Sequence, residues 1–249
     1  MGSQISQIDS FVQSASTESS MLQTTDATLG EVVAQLTSAI TLAVSAANDT
    51  NNAANLQAVL QQVTGIRDQV LALANSSYQG AYLFAGSQGD TQPFSLDTSS
   101  SPATVTYAGD TNLQFIVTPG GQQIQTNLPG TTIFGSGSSG VLETLNQFIA
   151  DLSSSAGSSA LQADSAALND ALNNVSTQRS LLNGSLSTLN STSTYEQTQM
   201  AQLQAAQTTL VSADSAQIAT DLKSNQTQYQ ALLSVISSMN STDLFSYLK

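Results

Sequence analysis

Apolar residues recur in alternating steps of three and four along most of this chain, and that spacing admits few folds. A 3.5-residue period holds one stripe of a helix against a neighbouring helix for many turns, so long helices packed side by side are favoured. The first stripe runs Ile5, Ile8, Val12, Ala15, Ser19, Leu22, Asp26, Leu29, Val33, Leu36, Ile40, Ala43 and Ala47. It predicts a helix from Gln4 to Ala47, with Ser19 and Asp26 as its soft points. Asn48-Asp49-Thr50-Asn51-Asn52 are residues that hydrogen-bond their own backbone, and they predict a turn. A second helix is expected to bury Leu56, Leu60, Val63, Val70 and Leu73 and to end near Ser77. So short a connection implies an antiparallel hairpin.

The pattern changes at Gln79-Gly80-Ala81-Tyr82-Leu83-Phe84-Ala85-Gly86-Ser87. All four prolines, at 93, 102, 119 and 129, follow within a stretch that has no helical period. Val105 and Tyr107, then Leu113, Phe115 and Val117, alternate with polar neighbours in the manner of half-buried strands. Their alternation supplies an apolar face of its own, so the β insert is expected to be separable from the helices. Gly80, Tyr82, Phe84 and Gly86 are the candidate helix-to-β junction. Glycine-flanked aromatics there could line a ligand pocket, but anchoring the junction is the better-supported reading.

Helix is expected again from Val141, with Leu142, Leu145, Phe148, Ile149 and Leu152 buried. After a Ser/Gly break at 153–159 a very long pattern begins, through Leu182, Leu186, Leu189, Ser193, Glu196, Met200, Leu203, Gln207 and Leu210. Unbroken from Ala160 to Met239, it would span about 120 Å at ~1.5 Å per residue. A phase slip at Ser212–Ser215 predicts a joint between two packing regions. Beyond it lies the final seam: Ile218, Leu222, Asn225, Tyr229, Leu232, Ile236 and Met239. It runs into Leu244, Phe245, Tyr247 and Leu248, four large apolar residues among the last six. Burying each such side chain is worth roughly 1.5–3 kcal/mol, so this end is expected to be covered by another part of the chain or another copy of it. Asn225 is either tolerated in the seam or sets its register.

Composition removes whole classes of function. Neither cysteine nor histidine occurs, which eliminates disulfides, thiol nucleophiles and every histidine-dependent triad or zinc site. Four basic residues stand against 17 acidic ones, a formal charge of −13. There is no basic patch for nucleic acid or for an anionic membrane surface. No run of about 18 apolar residues is evident, so no membrane span is expected. The start lacks the basic and apolar regions of a cleaved secretory signal. Asp214 and Asp221, seven apart on one helix face, read as a solvated face and not as a catalytic pair. Seven Asn-X-Ser/Thr triplets, Asn75 and Asn225 among their starting positions, are what chance produces in so Ser/Thr/Asn-rich a chain.

Four stretches carry a family resemblance. They are Thr24-Thr25-Asp26-Ala27-Thr28-Leu29-Gly30-Glu31-Val32; Leu71-Ala72-Leu73-Ala74-Asn75; Gly80-Ala81-Tyr82-Leu83-Phe84-Ala85-Gly86-Ser87 with Thr91-Gln92-Pro93-Phe94; and Leu244-Phe245-Ser246-Tyr247-Leu248. Together they resemble the bacterial flagellin superfamily, and within it the family of the third hook-associated protein, which joins hook to filament. The resemblance implies a mainly α fold, a long antiparallel helical coiled-coil bundle forming a rod, with a compact β-rich domain. It implies four parts: 1–86 and 137–214 as helical rod, 87–136 as β-rich insert, and 215–249 as a terminal axial helix for assembly. It further implies that Ile218, Leu222, Asn225, Tyr229, Leu232, Ile236, Met239, Leu244, Phe245, Tyr247 and Leu248 form an assembly interface.

The partners it implies are further copies of the chain, a neighbouring hook-associated protein, flagellin, and a cytoplasmic export chaperone. No enzyme activity and no cofactor or metal are expected, and the implied location is the extracellular flagellum after export. Family members carry an N-terminal axial helix ahead of the position where this sequence starts; Met1-Gly2-Ser3 reads as a vector-derived start, which would leave the terminal helix without that partner. A flagellin proper is the alternative, and a secreted adhesin or antigenic module a remoter one. A carboxylate-only enzyme is the least favoured.

Overall fold

A computed structural model describes residues 1–48, 52–135 and 140–245. Five helices account for most of it: α1 Gly2–Ala46, α2 Ala53–Ala74, α3 Gly130–Ile133, α4 Val141–Ser153 and α5 Ser158–Phe245. Six short strands lie between α2 and α3: β1 Ser77–Tyr78, β2 Ala81–Tyr82, β3 Phe94–Asp97, β4 Thr104–Tyr107, β5 Phe115–Val117 and β6 Gln123–Gln125. The fold is mainly helical with small β elements, as expected. The predicted turn at 48–52 lies partly outside the described residues. Asn52 is described, and its side chain caps α2 by accepting from the Asn55 N–H at 2.9 Å.

The chain divides into two compact units, one of Ser10–Glu196 and one of Met1–Asp9 with 197–249. In the larger unit the core stripe of α1 is Ala15, Leu22, Leu29, Val32, Leu36, Ala39 and Ala43. Half of the predicted seam is thus buried. The alternate positions lie one residue earlier than predicted, at Phe11, Val32, Ala39 and Ala46, while Val12, Val33, Ile40 and Ala47 flank the core half-buried. A helix packed into a core uses a stripe wider than the narrow two-helix seam, which explains the shift.

The two soft points of that stripe are polar fasteners. Ser19 Oγ donates to Asn190 Oδ1 at 3.0 Å. Asp26 accepts from Arg179 Nε at 3.0 Å, Nη2 at 3.1 Å and Asn183 Nδ2 at 3.0 Å. Later partners on α1 meet earlier ones on α5, so the two helices run antiparallel here. Arg67 of α2 is buried and donates to Asn146 of α4 at 3.3 Å and to Asp68 at 2.8 Å. Helix α1 also holds an 18-residue window of mean hydropathy 1.4, so by length and composition it is apolar enough to cross a bilayer. Many small apolar residues raise that mean without forming a continuous run, and Leu22, Leu29 and Leu36 of this helix are buried in the core.

The strands form three separate two-stranded antiparallel ladders, β1–β2, β3–β4 and β5–β6. Val105 and Tyr107 are half-buried as predicted, but β5 has the opposite parity. Ile116 faces inward, paired with the buried Ile124, and Phe115 and Val117 remain 47% and 56% exposed. Leu113 precedes the strand and is also exposed. With apolar residues on both faces, alternation alone cannot choose the register; the partner strand does. Nor does the insert keep its apolar face to itself. Phe94, Ile124, Leu128, Ile133 and Phe134 belong to the same hydrophobic cluster as Leu29, Val70 and Leu145.

Candidate assembly surface

The final seam lies on the last part of α5, in the smaller unit. The helix passes through Ser212–Ser215 without interruption, so the predicted slip does not end it. Every residue from 207 to 239 is exposed. Ile218, Leu222, Tyr229, Leu232, Ile236 and Met239 keep between 53% and 66% of their surface in water, and Asn225 stands exposed among them. Four and three residues apart, they form one stripe along the helix.

Leu210, Val211, Leu233 and Val235 are also exposed and widen the apolar surface beyond what the seam predicts. Val211 could have been found: it precedes Ile218 by one heptad. Leu233 and Val235 lie off the strict period and carry no such signal. Asp221 accepts from Gln217 Nε2 at 3.0 Å along the same helix, and Asp214 is exposed. Leu244 and Phe245 fall in the last helical turn, and Tyr247 and Leu248 lie outside the described residues.

Gly80, Tyr82, Phe84 and Gly86 sit in the larger unit. Gln79 and Gly80 have φ of +51° and +90° and form the two-residue turn between β1 and β2. Positive φ at both central positions suits the twist of a tight hairpin. Tyr82 is half-buried, and its N–H donates to the Gly89 carbonyl at 2.8 Å. Phe84 is fully buried, with its ring edge-to-face on Phe134 at 5.1 Å; Phe134 in turn meets Phe94 at 5.4 Å. The Phe84 carbonyl accepts from the Tyr107 hydroxyl at 3.0 Å and the Gly130 N–H at 2.9 Å.

Gly86 has φ of +72°, and a Cβ there would collide with Asp110. The Asp110 carboxylate accepts from the Ser87 N–H at 2.8 Å and from the Ser87 hydroxyl. Those bonds, with help from Asn112, hold it below the usual carboxylate range. Asn75 belongs to one of the stretches that carry the resemblance. Its amide donates to the Phe94 carbonyl and accepts from the Phe94 N–H, both at 2.9 Å, and so ties the end of α2 to β3. Nothing in its spacing signals that pairing, because the partner is 19 residues away.

Two family profiles match the chain: the bacterial flagellin N-terminal helical region over residues 1–89, and the bacterial flagellin C-terminal helical region over residues 165–248. No curated protein matches it. Among solved structures it is similar to flagellar hook-associated protein 3 of Legionella pneumophila, with a TM-score of 0.75 at 15% identity over 84% of this chain and 97% of that one. It is also similar to Bacillus cereus FlgL, at 0.62 and 21% over 79% and 98%. Bacillus cereus flagellin follows at 0.51 and 18% over 74% and 88%. At these identities the structural likeness concerns the fold. The chain belongs to the bacterial flagellin superfamily, whose members are structural components of the flagellum.

Proposed function

We propose that this chain is the subunit that joins hook to filament, assembled through its terminal helix and without catalysis. The observation carrying this reading is the uncovered apolar stripe from Ile218 to Met239. A stripe of this size on a helical segment whose described side chains, 207 to 239, are all exposed favours burial between copies. Identical subunits meeting through unlike surfaces extend into a helical assembly. Supporting the junction reading over a flagellin is the Leu244–Leu248 ending, together with higher structural similarity to hook-associated proteins than to flagellin.

In this reading residues 1–86 and 137–214 are the helical body, 87–136 the β-rich insert, and 215–249 the assembly region. Gly80, Tyr82, Phe84 and Gly86 brace the turn from helix into the insert. The stripe is shielded by a cytoplasmic chaperone until export, and the assembled protein stands outside the cell between a neighbouring hook-associated protein and flagellin. The test is replacement of the hook–filament junction gene of a motile host. Gold-labelled antibody should mark one ring per flagellum at the top of the hook, and motility should return. Label along the whole filament would make the chain a flagellin. Substituting Leu222, Leu232 and Ile236 by Asp should abolish incorporation while the larger unit stays folded.

A further inference from the structure

Asp164 lies in the second turn of α5 with only 5% of its surface exposed, and no donor reaches its Oδ2. Its carboxyl neighbour is Asp151, near the end of α4. Residues 154–157 connect the two helices, with Ser155 at a φ of +53°. Asp164 also borders a cavity of about 400 Å³ walled by Pro102, Thr104, Glu143 and Gln147. A buried carboxylate with a bare oxygen requires a proton or a cation. The two arginines of this unit are engaged elsewhere. Arg67 bonds Asp68 and Asn146, and Arg179 bonds Asp26.

Two carboxyl groups in contact resist joint ionisation, and one proton between them removes the conflict. We propose that Asp164 and Asp151 form a proton-operated clasp, in which one shared proton holds the start of α5 against the end of α4 and its loss loosens that hairpin. The Asp164 carboxyl donates to a carboxylate oxygen of Asp151; when the proton leaves to solvent, two negative charges face each other. On α4 the titratable groups turned towards this place are Asp151 and Glu143, both acidic. The segment Pro102–Thr104 carries none. The end of α1, where Val44, Ala47 and Asn48 share a hollow with Gln162 and Ser165, carries none among the described residues.

Burial, then the charge of Asp151 and the hydrogen bond to it, push the Asp164 carboxyl up to about 7. The folded chain therefore holds a proton that the unfolded chain, titrating near 3.8, has already released. The clasp's contribution is whole below that lower value, declines as pH rises towards 7, and changes no further above it.

The test is urea unfolding of the full chain from pH 5 to 8.5 at constant ionic strength, followed by the near-ultraviolet dichroism of its tyrosines. The folding constant of the natural chain should fall by up to about tenfold per pH unit between 5 and 7, then level off. In Asp164→Asn the amide donates to Asp151 at every pH, so the fall should vanish and the variant should be the more stable protein at pH 8. An unchanged slope in Asp164→Asn, or no slope in the natural chain, overturns the clasp. Carbon-13 titration of the Asp164 carboxyl in the natural chain decides the matter independently of whether the variant folds. A midpoint near 7 supports the clasp, and one near 4 overturns it.

Discussion

Phe84 has no contact with water, and its ring and its carbonyl do different work. The ring meets Phe134, and the carbonyl receives Tyr107 and Gly130. Phe84→Ala removes the ring from a packed cluster and should cost about 3–5 kcal/mol in urea unfolding. At Gly86 the obstacle is backbone: φ is positive and Asp110 occupies the space a Cβ needs. Gly86→Ala should cost about 1–3 kcal/mol for the forced conformation, seen as a lower melting temperature. In the sequence the Gly-flanked motif marks where the helical period ends. That Phe84 is a core residue while Tyr82 is only half-buried was not legible there, because the motif does not encode which of two aromatics finds a third.

At the scale of elements, helix extents followed closely from apolar period and polar breaks: Gly2–Ala46 against a predicted Gln4–Ala47, and α4 starting at Val141. Strand parity followed for β4 but not for β5. Ile116 packs against the core and Phe115 and Val117 do not, so Phe115→Ser and Val117→Thr should each change stability by less than about 0.5 kcal/mol. Ile116→Ala should cost more than either, and equal costs for the three would mean that the ladder register is wrong. The last part of α5 offers a second test. Residues 207–239 are all exposed, so amide exchange there should be orders of magnitude faster than over Leu29–Leu36 in dilute protein. Protection should rise with concentration as the stripe is buried between copies.

For the whole molecule, the two units predict separate responses. Ending the chain at Asp214 removes residues that are exposed from 215 to 239, so the melting of Ser10–Glu196 should move by no more than a degree or two while incorporation into flagella is lost. A large fall in the melting temperature would place 215–249 in the core. Replacing 87–136 by a short Gly/Ser loop is expected to do the opposite. It removes Phe94, Ile124, Leu128, Ile133 and Phe134 from the common cluster, so the cooperative melt should be severely weakened.

The sequence by itself determined the helices, the place of the β elements, the absence of histidine and cysteine chemistry, and the apolar stripe near the C-terminus. Each of these is a local or periodic property, written within a few residues of where it acts. Tertiary structure alone decided the rest. It turned the soft points Ser19 and Asp26 into contacts with Asn190, Arg179 and Asn183, more than 150 residues away. It chose which face of β5 turns inward, and it brought Asp151 and Asp164 together across a hairpin. The physical reason is common to all three. Period reports that a face will be buried, but the partner that buries it is set by three-dimensional neighbours that no local pattern names.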